Sequence, residues 1–401
     1  MLMFVSKYQV GGSLKSNDPS YIIRTADLEL YQALKQGNFC SVFEARQMGK
    51  SSLLVRTKQH LEAEGFCCVS LNLSSLSDKN TNRECWYKGL LFQISCELNL
   101  IKKINFNFNA WWNQHRNLQP IQRLHYFIRE LLTLYFPQTK LIFLMDEVDS
   151  LLSLPFSLND FFSLIRFYYN QRAIAIEYNY LTFAVFGVAT PLDFIKDSLQ
   201  SPFYIGTAIK LSGFKATEVH PLITAFEGKV SHPDLILKEI LWWTEGQPFL
   251  TQKLCQIIWK ISQKTPRNNI IIPEGKEKQW IATIVYYFIL KNWRFQDEPE
   301  HLQTIQNRLT YDQKQTQKNL KIYHKILHNF DIKGDQSREQ TELLLSGLVV
   351  KQQGLLKVKN PIYRHVFNLK WVEDQLTRFT TLEHQDLEYQ SVFNRSSFSS
   401  S

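Results

Sequence analysis

Short apolar runs alternate with longer amphipathic segments through the first half of the chain. Five runs rich in β-branched and aromatic residues lie near residues 38–43, 66–72, 140–145, 181–188 and 208–212. The segments between them carry apolar residues at helical spacing. Because parallel strands need long crossover connections, this alternation predicts an α/β fold with a parallel sheet flanked by helices.

The pattern becomes helical after Gly213 and stays so to about residue 330, which predicts a separate helical layer. Further on, Glu339 to Ser346 has helical spacing, and residues 348–359 form two short apolar runs around a Gly-containing turn. Pro361 then opens another helix. This order of helix, hairpin and helix resembles a winged helix.

Composition narrows the class of protein. The chain has 401 residues, 44% of them hydrophobic, which is enough for two or three globular domains. Its six cysteines show no CxxC spacing, so we expect reduced core thiols. The N-terminus becomes polar too early for a signal peptide, and the longest apolar run, Ile281 to Leu290, is too short to cross a bilayer. We therefore predict a cytoplasmic protein without membrane contact.

Positive charge is concentrated in one stretch. The net charge is +9, and residues 251–330 alone hold 13 basic and 6 acidic residues. Such an excess is typical of a nucleic-acid surface, but helices with solvated lysine faces give the same count. Both interpretations remain open at this point.

A phosphate-binding loop is the first candidate for chemistry. The first predicted strand ends near Phe43, and the chain closes on Gly49-Lys50-Ser51-Ser52 before a helix. Backbone N–H groups of such a loop face phosphates, and its lysine reaches the β- and γ-phosphates of a nucleotide. The usual motif opens with Gly, and Glu44 stands there instead; its carboxylate would repel a triphosphate unless it is turned away.

The third predicted strand supplies acids for the same site. Residues 141–145 are continuously apolar, as in a buried parallel strand, and Asp146-Glu147 follows. Together with the loop, this arrangement predicts that Ser51 and Asp146 hold Mg²⁺ and that Glu147 activates the attacking water.

Three further residues are candidates for sensing or stabilising the phosphate. Thr190 follows the fourth strand, where a γ-phosphate sensor would lie, although it could equally cap the helix begun by Pro191. Arg166 and Arg172 lie on or after a predicted helix over 160–170. Either could stabilise transition-state charge as an arginine finger, or be a solvated surface residue.

Several phrases together resemble the bacterial AAA-like domain family within the STAND class of signalling ATPases, which are related to origin-recognition-type AAA+ ATPases. The resemblance covers roughly residues 8–375. The phrases are Tyr8-Gln-Val-Gly-Gly-Ser-Leu14, Ala45-Arg-Gln-Met-Gly-Lys-Ser-Ser-Leu53, Met145-Asp-Glu-Val-Asp-Ser150, Tyr169-Asn-Gln-Arg172, Phe186-Gly-Val-Ala-Thr-Pro191 and Thr244-Glu-Gly-Gln-Pro-Phe-Leu-Thr-Gln-Lys-Leu254.

The resemblance implies an ATP or ADP site with Mg²⁺ and assigns residues to it. Gly246 and Pro248 belong to a lid motif that packs near the adenine, and Arg24, in the segment 21–25, lies by the base on the other side. The nucleotide-binding residues are then Arg24, Ala45, Arg46, Gln47, Met48, Gly49, Lys50, Ser51, Ser52, Asp146, Gly246 and Pro248.

The same resemblance completes the domain boundaries. We expect an N-terminal segment near the adenine (1–35), a P-loop ATPase core of AAA+ type (36–213), a helical lid (214–275), a helical and winged-helix-like domain (276–376) and a disordered polar tail (377–401).

STAND proteins resemble slow switches, so the first hypothesis is an ATP-binding, slowly hydrolysing switch that changes conformation or assembles into a homo-oligomer with nucleotide state. A protein partner would then carry the sensor or effector function. The second is a DNA-binding ATPase, in which Lys351, Lys357, Lys359 and Arg364 contact phosphates. The third is a nucleotide-binding scaffold that does not hydrolyse.

Overall fold

The chain divides into two compact units in a computed structural model that describes residues 8–194, 206–335 and 337–378. One unit, here called the sheet unit, spans Gly12–Gly213. The other, the helical unit, combines Met1–Gly11 with Phe214–Ser401. The tail predicted to be disordered lies outside the described residues except for 377 and 378.

A five-stranded parallel sheet forms the centre of the sheet unit, which confirms the predicted α/β fold with a parallel sheet flanked by helices. The strand order is β2-β3-β4-β1-β5. The strands are β1 (Cys40–Phe43), β2 (Cys67–Asn72), β3 (Leu141–Asp146), β4 (Leu181–Gly187) and β5 (Thr207–Ala208). Since all pairings between them are parallel, the carboxyl ends of the strands share one edge of the sheet.

Helices cover both faces of this sheet. They are α1 (Thr25–Lys35), α2 (Lys50–Ala63), α3 (Arg83–Glu97), α4 (Leu100–Ile104), α5 (Phe108–Gln114), α6 (Pro120–Glu130), α7 (Asn159–Gln171) and α8 (Pro191–Phe194). Alternate residues of β3 face opposite sides: Ile142 and Leu144 pack with α1 and α2, whereas Phe143 and Met145 pack with α3, α6 and α7. The sheet is therefore the middle of three layers.

Two details differ from the sequence expectation. The fifth strand was expected over 208–212, but β5 has only two residues, because it pairs with Cys40 and Ser41 alone, whereas Val42 and Phe43 of β1 pair only with β4. Cys85 and Cys96 are exposed on α3, so they are not core thiols. All six cysteines are free, and Cys40, Cys68 and Cys255 are buried.

Among its described residues, the helical unit contains nine further α-helices and one β-hairpin. They are α9 (His220–Phe226), α10 (Pro233–Thr244), α11 (Pro248–Ser262), α12 (Glu277–Val285), α13 (Trp293–Gln296), α14 (Leu302–Leu309), α15 (Gln313–Leu327), α16 (Arg338–Leu345), β6 (Val349–Gln352), β7 (Leu355–Val358) and α17 (Pro361–Val366). The strands β6 and β7 pair antiparallel. None of the described helices in either unit is both long and apolar enough to traverse a bilayer.

Candidate nucleotide site

The phosphate-type loop joins β1 to α2 at the carboxyl edge of the sheet. Gly49 is the N-cap of α2 and has φ of 88°, a left-handed conformation in which glycine is favoured. A Cβ at this position would lie 3.0 Å from an Nη2 atom of Arg24. The side chains of Ala45 and Met48 are buried in the hydrophobic core, and this packing fixes the loop against the sheet unit. Arg46, by contrast, is exposed.

Lys50 is a buried cation in the first turn of α2. Its Nζ donates to the backbone carbonyls of Glu44 and Ala45, both at 2.8 Å. Burial lowers the pKa of Lys50 from 10.5 to about 8, and the negative charges of Asp149, Asp146 and Glu44 oppose that shift. The lysine thus lies among three carboxylates and beneath the loop.

The two residues predicted to hold Mg²⁺ are brought together. Ser51 Oγ donates to Asp146 Oδ2 at 2.6 Å, although 95 residues separate them in the chain. Asp146 Oδ1 accepts the N–H of Glu147 at 2.9 Å, and burial raises the pKa of Asp146. A hydroxyl and a carboxylate oxygen at one point are the hard oxygen donors that Mg²⁺ prefers, so the residues present fit that ion.

Two glutamates of the candidate site, Glu147 and Glu44, differ in exposure and in their contacts. Glu147 adopts a left-handed backbone, with φ of 55°, directly after β3, and its side chain is exposed. Such a conformation is uncommon for a residue other than glycine. Glu44 is half-buried, and its Oε1 accepts the N–H of Ala45 at 3.1 Å. The carboxylate that replaces the opening Gly therefore takes up one N–H group of the loop itself.

Asp149 belongs to this edge although the sequence did not single it out. Its Oδ1 accepts the N–H of Val188 at 2.8 Å, which ties the segment after β3 to the end of β4. A Cβ on Gly187 would lie 2.9 Å from that oxygen, so glycine permits the approach. Asp149 also exerts the largest of the favourable charge effects on Lys50. The only sequence signal was its place in the phrase 145–150.

The predicted sensor and arginine residues occupy different places. Thr190 donates from Oγ1 to Asp193 Oδ2 at 2.9 Å, and its backbone N–H donates to the same oxygen at 2.6 Å. These are helix-capping contacts at the start of α8. Arg166 lies on α7 and is half-buried.

Arg172 is held at the opposite edge of the sheet. Its guanidinium donates to the carbonyls of Gly37, Tyr178 and Leu181, and Gly37 and Leu181 mark the amino ends of β1 and β4. It also lies 4.6 Å from the ring centroid of Phe39. These contacts argue against Arg172 as an arginine finger in its own subunit, because the predicted phosphate position is at the carboxyl edge.

Arg24 contacts the loop directly. Its side chain is buried, and Nη1 donates to Met48 O at 2.8 Å and to Ser212 O at 3.3 Å. The Ser52 hydroxyl accepts the N–H of Leu14 at 3.0 Å. Arg24 and Leu14 of the N-terminal segment thus contact the loop and the first turn of α2. The position of the adenine stays a prediction.

Gly246 and Pro248 lie in the helical unit at the start of α11. Gly246 has φ of 68°, and its carbonyl accepts the N–H of Phe214 at 2.8 Å. A Cβ there would lie 2.1 Å from Phe214 O, so no larger residue fits. The Gln247 side chain caps α11 by accepting the N–H of Leu250 at 2.6 Å. These contacts explain the Gly-Gln-Pro phrase as a tight turn; its relation to a nucleotide remains a prediction.

Comparison with known proteins finds relatives in sequence and in structure. A relative in Synechocystis, an uncharacterized WD repeat-containing protein, is 44% identical over 377 residues, which is 94% of this chain and 31% of that protein. The chain therefore spans about a third of this relative. The Walker-type ATPase of Pyrococcus abyssi has a similar structure, with a TM-score of 0.57 and 17% identity over 90% of this chain and 99% of that one.

The ORC2 protein of Aeropyrum pernix is also similar in structure, with a TM-score of 0.51 and 15% identity over 93% of this chain and all of that one. At such identities the likeness concerns the fold. The sequence profile of the AAA-like domain matches residues 9–369, nearly the whole chain, which confirms the resemblance at family level. This chain is a member of the AAA-like domain family.

Proposed function

We propose that the protein is an ATP-binding, slowly hydrolysing switch. The observation that carries this proposal is the contact of Ser51 with Asp146 beside the buried Lys50, at the carboxyl edge of a parallel sheet. In open α/β sheets ligands bind at that edge. The choice of an adenine nucleotide is supported by the ORC2 structure of Aeropyrum pernix, which was solved in complexes with ADPNP and ADP.

Each side chain of the edge has a distinct task in this proposal. Lys50 exchanges its two carbonyl partners for phosphate oxygens, which suits an ammonium with three donors. Ser51 and Asp146 hold Mg²⁺, and that ion would supply charge neutralisation when bound. Glu147, exposed directly after β3, accepts a proton from the attacking water.

Slow turnover is expected from the same geometry. The Thr190 hydroxyl is engaged with Asp193, and Arg172 is held at the far edge, so of the three residues that the sequence suggested only Arg166 is left as a candidate to stabilise transition-state charge. An arginine from a neighbouring subunit would accelerate hydrolysis, which agrees with assembly into a homo-oligomer.

Signalling requires more than the nucleotide site. In this proposal the nucleotide state changes the conformation of the helical unit, whose hairpin and flanking helices α16 and α17 we interpret as a winged helix, and a protein partner receives the change. The chain would act in the cytoplasm.

The direct test is titration of ADP and ATP by calorimetry with Mg²⁺ and with a chelator. We expect Mg²⁺ to strengthen binding in the wild type and Ser51→Ala to lose most of that gain. Ser153→Ala, which changes an exposed serine of the same unit, should behave as wild type. Absence of nucleotide binding by the wild type would refute the proposal.

Turnover separates a switch from a scaffold that binds without hydrolysis. Single-turnover assays with saturating protein should give a slow rate that Glu147→Gln lowers at least about tenfold. If the protein binds nucleotide but both rates are equal and negligible, it is a scaffold that does not hydrolyse the nucleotide.

A further inference from the structure

A lysine face runs along α15 in the helical unit. Lys318, Lys321 and Lys325 follow one another at intervals of three and four residues, which places them on one side of the helix. All three are exposed. The sequence of α15 contains no Asp or Glu.

Few acids neutralise this face. The exposed Lys318 lies 3.7 Å from the half-buried Glu339 of α16. No carboxylate within 4 Å of Lys321 or Lys325 is found among the described residues. Solvated lysine faces commonly alternate with acids along the helix, and this one does not.

A cavity of about 560 Å³ opens at the carboxyl end of the same helix. Asn329, one turn after Lys325, lines it, and Arg364 of α17 fixes that end by donating to Leu327 O at 3.1 Å and Asn329 Oδ1 at 3.0 Å. Lys357 and Lys359 of the hairpin line the cavity as well. The cavity therefore lies at the end of the helix that carries the lysine face, and three basic side chains, Lys357, Lys359 and Arg364, line it.

Two aromatic residues that line the cavity are exposed to solvent. Phe330 is 63% exposed and Trp242 is 50% exposed. The remaining charged lining residues are Glu245 and Asp331. Carboxylates would repel a phosphate inside the cavity, but they accept hydrogen bonds from N–H groups of an unpaired nucleobase, including the N3–H of thymine.

We propose that this surface binds single-stranded nucleic acid. The lysine face contacts successive phosphates, and the cavity receives an unpaired base that stacks on Phe330 or Trp242. A duplex offers phosphates but no free base, so the cavity favours a single strand. The inference does not depend on the proposed nucleotide switch, because no residue of the phosphate loop takes part.

The test is fluorescence anisotropy of the full chain with a labelled oligothymidylate of about 20 nucleotides, at several salt concentrations from about 50 mM. We expect binding that weakens as salt rises. The double variant Lys321→Glu with Lys325→Glu should lose at least about tenfold in affinity, and the slope of log K against log salt should fall by roughly 1.4, since each lost phosphate contact removes about 0.7.

Two controls make this specific. Lys260→Glu with Lys264→Glu changes the net charge equally at exposed lysines with the same spacing, and it should alter affinity less than about threefold. Phe330→Ala should weaken binding about fivefold or more with an unchanged salt slope, because stacking involves no counterion release.

Several outcomes would overturn the inference. They are no binding at the lowest salt, equal losses in the two lysine pairs, or a duplex of the same length competing as well as the single strand. Binding to vesicles containing phosphatidylserine through Lys321 and Lys325, without binding to the oligonucleotide, would assign the face to a membrane surface instead.

Discussion

Two cations hold opposite edges of the central sheet, and both use backbone carbonyls as partners. Arg172 donates to Gly37, Tyr178 and Leu181 at the amino edge, while Lys50 donates to Glu44 and Ala45 at the carboxyl edge. Their surroundings differ. Arg172 is flanked by the rings of Phe39 and Tyr169, and Lys50 by carboxylates.

The difference shows that a cation bound to backbone carbonyls can have two different roles. A planar guanidinium that fits three fixed carbonyls links strand ends and cannot leave without exposing all three. An ammonium can rotate its three donors and change partners at little cost. Arg172 therefore stabilises the sheet, and Lys50 is suited to exchange its partners for a ligand.

The largest effect is expected on stability. Arg172→Ala removes the donor of three carbonyls, and we expect the free energy of unfolding to fall by about 3 kcal/mol in urea titrations. Arg129→Ala, at an exposed position, should cost less than about 0.5 kcal/mol. Nucleotide affinity of folded Arg172→Ala should be unchanged; a large loss of affinity would contradict the division of roles.

Lys50→Met should show the reverse pattern. The substitution keeps much of the side-chain length but removes the cation, so we expect affinity for Mg²⁺-nucleotide to fall about 100-fold, or ~2.7 kcal/mol. The free energy of unfolding should change by less than about 1 kcal/mol, because removing a desolvated charge offsets the hydrogen bonds lost by the carbonyls of Glu44 and Ala45. A variant that unfolds easily would show that Lys50 is a structural residue like Arg172.

Glu44 allows a finer test of the carboxyl edge. Glu44→Gly removes a carboxylate from the phosphate side of the loop and releases the Ala45 N–H, so we expect affinity to rise about tenfold. Glu44→Gln separates charge from geometry, and it should recover only part of the gain. Unchanged affinity in both variants would mean that the carboxylate is turned away from the ligand.

The smallest effect is a dependence on pH. With a pKa of about 8, Lys50 loses its proton in mildly alkaline solution, and affinity should fall about fourfold between pH 7 and pH 8.5. Stability should move the opposite way. Between about pH 8 and 10.5 the unfolded chain binds this proton more strongly than the folded one, so the contribution of Lys50 to the free energy of unfolding rises with pH. Lys50→Met should lack both trends.

The sequence predicted those parts of the molecule that depend on local order. The strands β1 to β4, the helix after the loop, and the positions of Lys50, Ser51 and Asp146 follow from runs and motifs of a few residues. Family membership followed from several such phrases in order.

Contacts between distant residues were beyond sequence reasoning. Arg172 donates to the carbonyl of Gly37, which is 135 residues away in the chain. The residues around Arg172 in the sequence therefore could not distinguish a structural arginine from a catalytic one. The contact of Asp149 with the end of β4 depends on the register of β3 and β4, which brings Gly187 beside it. The length of β5 depends on how far its pairing with β1 extends, and the exposure of Cys85 depends on which face of α3 meets the core.

In the proposed switch, the carboxylates around Lys50 also affect how nucleotide and Mg²⁺ would bind together. Asp146, Asp149 and Glu44 all favour the charged form of Lys50, so negative charge surrounds the lysine before any ligand is bound. A divalent cation reverses that balance locally, and a nucleotide in turn attracts the cation. Linkage then requires each to raise the affinity of the other by the same factor. The site is expected to respond to the product of nucleotide and Mg²⁺ concentrations rather than to either alone.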